Sequence, residues 1–160
     1  MTIYSGIQQK LTEYREQQDV YWNDLQKRIN RFGPEFVSYL GVEGFVLRDV
    51  EDAKYPVVIV GVLEGENVKK APVFEMKKIE DTVNSLQFYV QVNLSKSGSE
   101  ILDCALTFEC HFRKADVNYV MNISGKDVEC PKITDKTDFT KAFAYMVVKL
   151  EEFIDKSRYE

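Results

Sequence analysis

Between Leu102 and Phe112 the chain alternates without a break. Leu102, Cys104, Leu106, Phe108, Cys110 and Phe112 are apolar, and between them stand Asp103, Ala105, Thr107, Glu109 and His111. A period of two means a β-strand with one dry face and one wet face. The pattern turns Cys104 and Cys110 towards a core and His111, the sole histidine, away from it. Most cysteine–histidine constellations are excluded by that geometry alone.

A second segment repeats the pattern. Leu86, Phe88, Val90, Val92 and Leu94 alternate with Gln87, Tyr89, Gln91 and Asn93, and Ser95–Glu100 between the two segments has turn composition. Directly opposed residues of an antiparallel pair share a face. Both dry rows are even-numbered, so only an odd-length loop keeps them together. A three-residue loop at Ser97–Ser99 with a bulge fits. It predicts Leu94 opposite Leu102, Val92 opposite Cys104, Val90 opposite Leu106, Phe88 opposite Phe108, and His111 opposite Ser85. The following apolar row is odd-numbered (Val117, Tyr119, Met121, Ile123), which requires an even-length loop near Lys114-Ala115.

The flanks read as helices. Ser5 and Gln8 fit a capping box, and apolar residues recur at Ile7, Leu11, Tyr14, Tyr21, Leu25, Ile29 and Phe32. Gly33-Pro34 is a stop signal, with a short second helix over Glu35–Leu40 closed by Gly41. At the other end Phe139, Ala142, Phe143, Met146, Val147, Leu150, Phe153 and Ile154 form one stripe over about 138–156. Asp135, Thr137 and Asp138 are candidate caps.

The expected fold is a single α+β domain over residues 1–160. A long N-terminal helix precedes a six-stranded antiparallel meander with strands near 43–49, 55–63, 72–79, 84–94, 101–112 and 117–124. A C-terminal amphipathic helix follows, and both helices pack on one face of the sheet. With 44% apolar residues the chain can fill such a core.

The net charge of −5 disfavours phosphate backbones, so no nucleic-acid partner is expected. The longest apolar run, Val57–Leu63, is too short for a bilayer, and Met1–Ser5 shows no secretory signal. No membrane association and a cytoplasmic location are the expectation. Cys104 and Cys110 lie six residues apart on one strand, roughly 20 Å, beyond disulfide reach. With Cys130 beside Pro131 in an expected loop, all three cysteines read as free thiols.

The motif search yields no metal-ligand spacing, nucleophile elbow or phosphate loop. No cofactor, metal site or catalytic residue is expected, and an enzyme ranks below a binding protein. One surface stands out: Gln87, Tyr89, Gln91, Asp103, Thr107, Glu109, His111 and Arg113 gather on the wet face of the hairpin. Tyrosine, arginine and uncharged amides on a flat sheet suit a protein partner. The expectation is a non-catalytic interaction protein of inhibitor, adaptor or immunity type. The N-terminal helix is a second candidate surface, where Tyr4, Val20 and Trp22 leave the main stripe and suit a partner or a second copy of the chain. The alternative function is a small apolar ligand held in a cavity between a curved sheet and the C-terminal helix.

Overall fold

The computed structural model describes residues 2–160. Helix α1 runs Ile3–Ile29 and opens on a capping box in which Thr2 and Ser5 each accept the other's backbone N–H at 3.0 Å. The box lies three residues ahead of the expected Ser5–Gln8 pair. Helix α2 covers Phe32–Leu40 and ends on Gly41 in the left-handed conformation, φ 73°. Gly33 and Pro34 do not stop α1. They sit in the first turn of α2, where backbone N–H groups have no intrahelical acceptor and proline loses nothing.

Two short strands, β1 (Val46–Arg48) and β2 (Lys54–Pro56), form a separate ribbon. The hairpin of β3 (Val58–Glu64) and β4 (Asn67–Lys70) follows, then β5 (Lys77–Ile79), β6 (Ser85–Ser95) and β7 (Leu102–Ala115). Strands β8 (Asn118–Ile123) and β9 (Lys126–Cys130) complete the main sheet. A two-rung ribbon of β10 (Lys132–Ile133) and β11 (Lys136–Thr137) leads into helix α3, Thr140–Phe153.

The main sheet is antiparallel, in the order β4-β3-β6-β7-β8-β9, with β5 sharing one flank of β6 with β3. The α+β architecture matches the expectation, with seven strands rather than six. The path is a meander from β6 to β9. Before that the chain doubles back, because β3 and not β4 lies beside β6. At Gly61 on β3 a Cβ would sit 1.9 Å from the Lys69 carbonyl oxygen, so the β3–β4 hairpin closes only around glycine.

Parity holds from Leu86 to Leu94 and breaks only at the bulge, where Ser95 faces Leu102. Phe88 faces Cys110, Val90 faces Phe108, Val92 faces Leu106 and Leu94 faces Cys104. The dry rows share a face, yet every pair is two residues from the predicted register, and His111 faces Gln87 rather than Ser85. The cause lies outside the hairpin. The Arg48 N–H bonds the Glu100 carbonyl at 2.8 Å and Ile101 bridges to Arg48, so the loop widens and a bulge follows Leu94. The β7–β8 turn has the required even length, at Asp116-Val117, two residues beyond the expected Lys114-Ala115.

The dry face carries the core, and Phe32 is its hub. Its ring meets Phe88 of the sheet at 5.7 Å, Phe139 and Phe143 at 5.1 Å each, and Phe36 at 6.0 Å. These edge and tilted geometries suit the ring quadrupoles. Trp22, Leu25 and Ile29 of α1 join from one side, and Ala142, Met146 and Leu150 of α3 from the other. Both terminal helices therefore lie on one face, with α2 between them in sequence. Only the last third of α1 takes part, however. Ile7, Leu11 and Tyr14, expected to face the sheet, are 58, 52 and 57% exposed.

A polar clamp locks the buried part of α1. Arg28, almost fully buried, pairs with Asp24 at 3.0 Å, donates to the Lys136 carbonyl and the Thr137 hydroxyl at 3.0 Å, and lies 4.3 Å over the Tyr119 ring. The Tyr119 hydroxyl donates back to Asp24. Every member has a partner, as a buried charge requires.

The clamp sets an alkaline limit. Burial, reinforced by the bond to Asp24, pushes the Tyr119 phenol up to about 12 from an ordinary value of 10.0. A raised folded value favours the neutral form, so its contribution is complete below about pH 10 and is lost as pH rises through about 12. Denaturant unfolding should show a stability loss across that window, on the order of 2 kcal/mol from this group. Tyr119→Phe should be less stable at neutral pH yet flatter from pH 10 to 12, with the residual slope set by other raised groups.

Candidate interaction face

All three helices crowd onto the even-numbered side of β6 and β7, which leaves the odd-numbered side to solvent. Cross-strand geometry then assembles the candidate residues. Register places Tyr89 opposite Glu109 and Gln87 opposite His111. Glu109 is the centre: the Tyr89 hydroxyl donates to it at 3.0 Å, Gln87 Nε2 reaches it at 3.4 Å, and His111 Nε2 lies 3.4 Å from its other oxygen. Burial, then the bond to Glu109, raises the Tyr89 phenol above its ordinary value. Tyr89 is therefore a neutral donor at physiological pH.

Arg113 extends the patch towards β9. It meets Asp127 at 3.2 Å, and Asn122 donates to the same carboxylate at 2.9 Å. Asn118 donates to Glu129 at 3.2 Å beyond that. The result is a flat row of amide, phenol, imidazole, guanidinium and carboxylate groups, held in place by mutual bonds.

The other candidates do not belong to this centre. Gln91 turns away to accept the Val68 N–H of β4 at 3.1 Å and to bond Asn93, which is buried and tied to the Pro56 carbonyl. These two amides fasten the β2–β4 region to β6. Asp103 lies at the far end of β7, 3.8 Å from Lys96, and Thr107 is exposed between the two ends.

The thiols follow their faces. Cys110 is fully buried, and burial lifts its pKa far above the usual range. Cys130 is not in a loop. It ends β9 opposite Tyr119 and is buried, with its thiol raised to about 12 by desolvation. The hairpin turn at Ser124-Gly125, both residues at positive φ, and the apolar pair Val128/Cys130 were the signals for that strand. Cys104 is half-buried, its pKa also raised mainly by burial. Among the described residues no group of three His, Cys, Asp or Glu could hold a metal ion. Among the described residues no helix is long and apolar enough to cross a membrane.

Two grooves lie elsewhere. One of about 710 Å³ runs between α2 and β3, lined by Ile29, Val37, Val58, Val60 and Met76, with Lys70 and Glu43 also on its walls. A smaller one of about 370 Å³ lies between β7 and the end of α3, near Tyr145, Lys149 and Arg158. The sequence placed its candidate cavity at the C-terminal helix, but the larger groove belongs to α2. Asp24, Arg28 and Tyr119 escaped the sequence reading too. Their only local signal is an i,i+4 acid–base pair on α1, a common surface pattern.

No family model, curated protein or solved structure matches this chain.

Thiol exposure gives a direct check on the strand faces. A thiol reagent at about pH 8 should modify Cys104 alone in the native protein, and all three cysteines once denaturant is added. Rapid native labelling of Cys130 would contradict its place on β9.

Proposed function

We propose that this chain is a non-catalytic interaction protein, of inhibitor, adaptor or immunity type, that binds a macromolecular partner through the open face of its sheet. The observation that carries this reading is the Gln87–Tyr89–Glu109–His111 cluster with Arg113 beside it, ordered by its own hydrogen bonds yet covered by no other element. Side chains already fixed in place lose little conformational freedom on binding. Tyrosine and arginine are the residues most often dominant at such contacts. Gln87, Tyr89, Glu109, His111 and Arg113 line neither groove, so their donors and acceptors suit recognition of another surface better than enclosure of a small substrate. Replacing Tyr89 and Arg113 by alanine should abolish partner capture while moving stability by less than about 1 kcal/mol, since both side chains lie outside the core. Capture that survives the double substitution moves the site off this face.

The α2–β3 groove supports a second reading, a small apolar ligand. Its volume and aliphatic lining fall within the range of ligand sites, and Lys70 supplies one cation on its wall. A medium-chain fatty acid bound there should raise the melting temperature in proportion to occupancy, and Val60→Trp should remove the shift. An unchanged melting curve at saturating fatty acid removes this reading.

A further inference from the structure

Helix α1 leaves the body of the protein near Tyr21. The Tyr21 hydroxyl is held there by the Asn84 carbonyl and the Lys114 N–H, and the residues before it run out into solvent. The overhang from Ile3 to Asp19 is about 25 Å long at 1.5 Å per residue. An isolated helix of this length is marginal in water, and Gly6 weakens it further. The capping box and three local side-chain bonds, Gln9–Glu13, Arg15–Gln18 and Gln18–Tyr14, add little each, being exposed to solvent.

The arm is also patterned. Tyr4, expected to leave the main stripe, falls on it: Tyr4, Ile7, Leu11, Tyr14, Gln18 and Tyr21 follow strict three–four spacing, the a and d positions of a heptad. Every apolar residue between Ile3 and Asp19 falls at a, d or the flanking g position. Ser5, Gly6, Gln9, Thr12, Glu13, Glu16 and Asp19 occupy the outer face. This is the narrow seam of a helix made to pair with one other helix. In the body Leu25, the next a position but one after Leu11, is fully buried and Arg28, the d position after Tyr21, almost so, whereas Ile7, Leu11 and Tyr14 on the arm are more than half exposed.

The flanking charges fix the direction in which a second copy lies along the seam. Lys10 (g) and Arg15 (e) border the seam, with Gln8 and Gln17 at the other e and g positions. A parallel pair of arms would set Lys10 against Arg15 of the other copy, like against like. An antiparallel pair sets g against g and e against e. With Leu11 opposite Tyr14 and Ile7 opposite Gln18, Lys10 faces Gln17 and Arg15 faces Gln8, and no like charges meet. The shorter alternative, with Tyr4 opposite Tyr14, brings the two Lys10 residues together. The longer register also delivers Ile3 and Tyr4 to the foot of the other arm. There Val83 and Val117, flanking the Asn84 and Lys114 anchor of Tyr21, are 47 and 75% exposed.

We infer that two copies of this chain form a two-fold symmetric dimer through their projecting arms, antiparallel, with Leu11 of each opposite Tyr14 of the other. Each tip then covers Val83 and Val117 of its mate, so the interface extends beyond the two helices and closes on itself. The open sheet faces are not used and remain available to a partner. The inference is independent of the function proposed above, and either stands if the other fails.

Sedimentation of the full chain tests it. The wild type should pass from 18.6 kDa monomer to dimer between about 1 and about 100 µM. Leu11→Glu should weaken the dimer at least about tenfold with an unchanged near-UV spectrum, because the side chain lies outside the core. Gln8→Glu with Gln17→Glu places an acid opposite each flanking base only in the antiparallel register. It should tighten the dimer at least about threefold at low salt, with the gain lost at high salt. A wild type that stays monomeric overturns the inference and leaves the arm to a foreign helix. A dimer that survives Leu11→Glu, or one that Gln8→Glu/Gln17→Glu fails to tighten, overturns the proposed seam.

Discussion

The fold depends on where Phe32 can put its ring. The residue opens α2 just beyond the end of α1, and its ring touches α2, the sheet and α3 together with Phe139 at the start of α3. A ring with four aromatic neighbours fixes the distances between all the layers, because interiors tolerate neither voids nor overlap. It also fixes the bend between α1 and α2. Two residues, Asn30 and Arg31, separate the helices, and the bend turns α2 across β3 while α1 continues outward. The projecting arm and the α2–β3 groove are both consequences of that bend.

Placing three helices on one side of a seven-stranded sheet leaves the other side open. That side needs its own order, since a wet sheet face has no packing to hold its side chains. Here order comes from cross-strand pairs: Tyr89 with Glu109, Gln87 with His111, Arg113 with Asp127. Such pairs contribute fractions of a kcal/mol each. They stabilise the fold little, but they limit each side chain to one arrangement. The same register that buries Phe88 against Cys110 therefore presents Tyr89 beside Glu109, so one choice of pairing builds both the core and the face.

Features governed by nearest neighbours in sequence could be read from it. Alternation gave β6, β7 and β8 and the two faces of each, and parity gave the even length of the β7–β8 turn, whereas the β6–β7 loop, expected to be three residues, spans the six of 96–101 after the bulge. What failed was set by distant residues. The β6–β7 register slid by two because Arg48, more than fifty residues upstream, takes the Glu100 carbonyl. Strand β4 escaped because Asn67–Lys70 is short and mostly polar, its single buried side chain being Val68. The candidate face was legible as a list, since Tyr89, Glu109, His111 and Arg113 share parity. Its division was not: only the hydrogen bond from Val68 shows that Gln91 serves the edge of the sheet instead.

Helix α1 shows the limit of periodicity most plainly. Its alternating three–four spacing runs from Tyr4 to Leu25, and Leu11 and Leu25 are indistinguishable by pattern. One is half exposed and the other fully buried. Spacing says that a face will be covered, not by what. The sheet covers the face from Tyr21 onward because that is where β6 begins and β7 ends, at Asn84 and Lys114. Beyond that edge the requirement persists with no element of the chain left to meet it. Burying apolar side chains is the dominant favourable term in association as in folding. A seam that is packed on the sheet from Tyr21 onward and bare before it is therefore the surface that the inferred dimer uses, the second copy doing along the arm what the sheet does in the body.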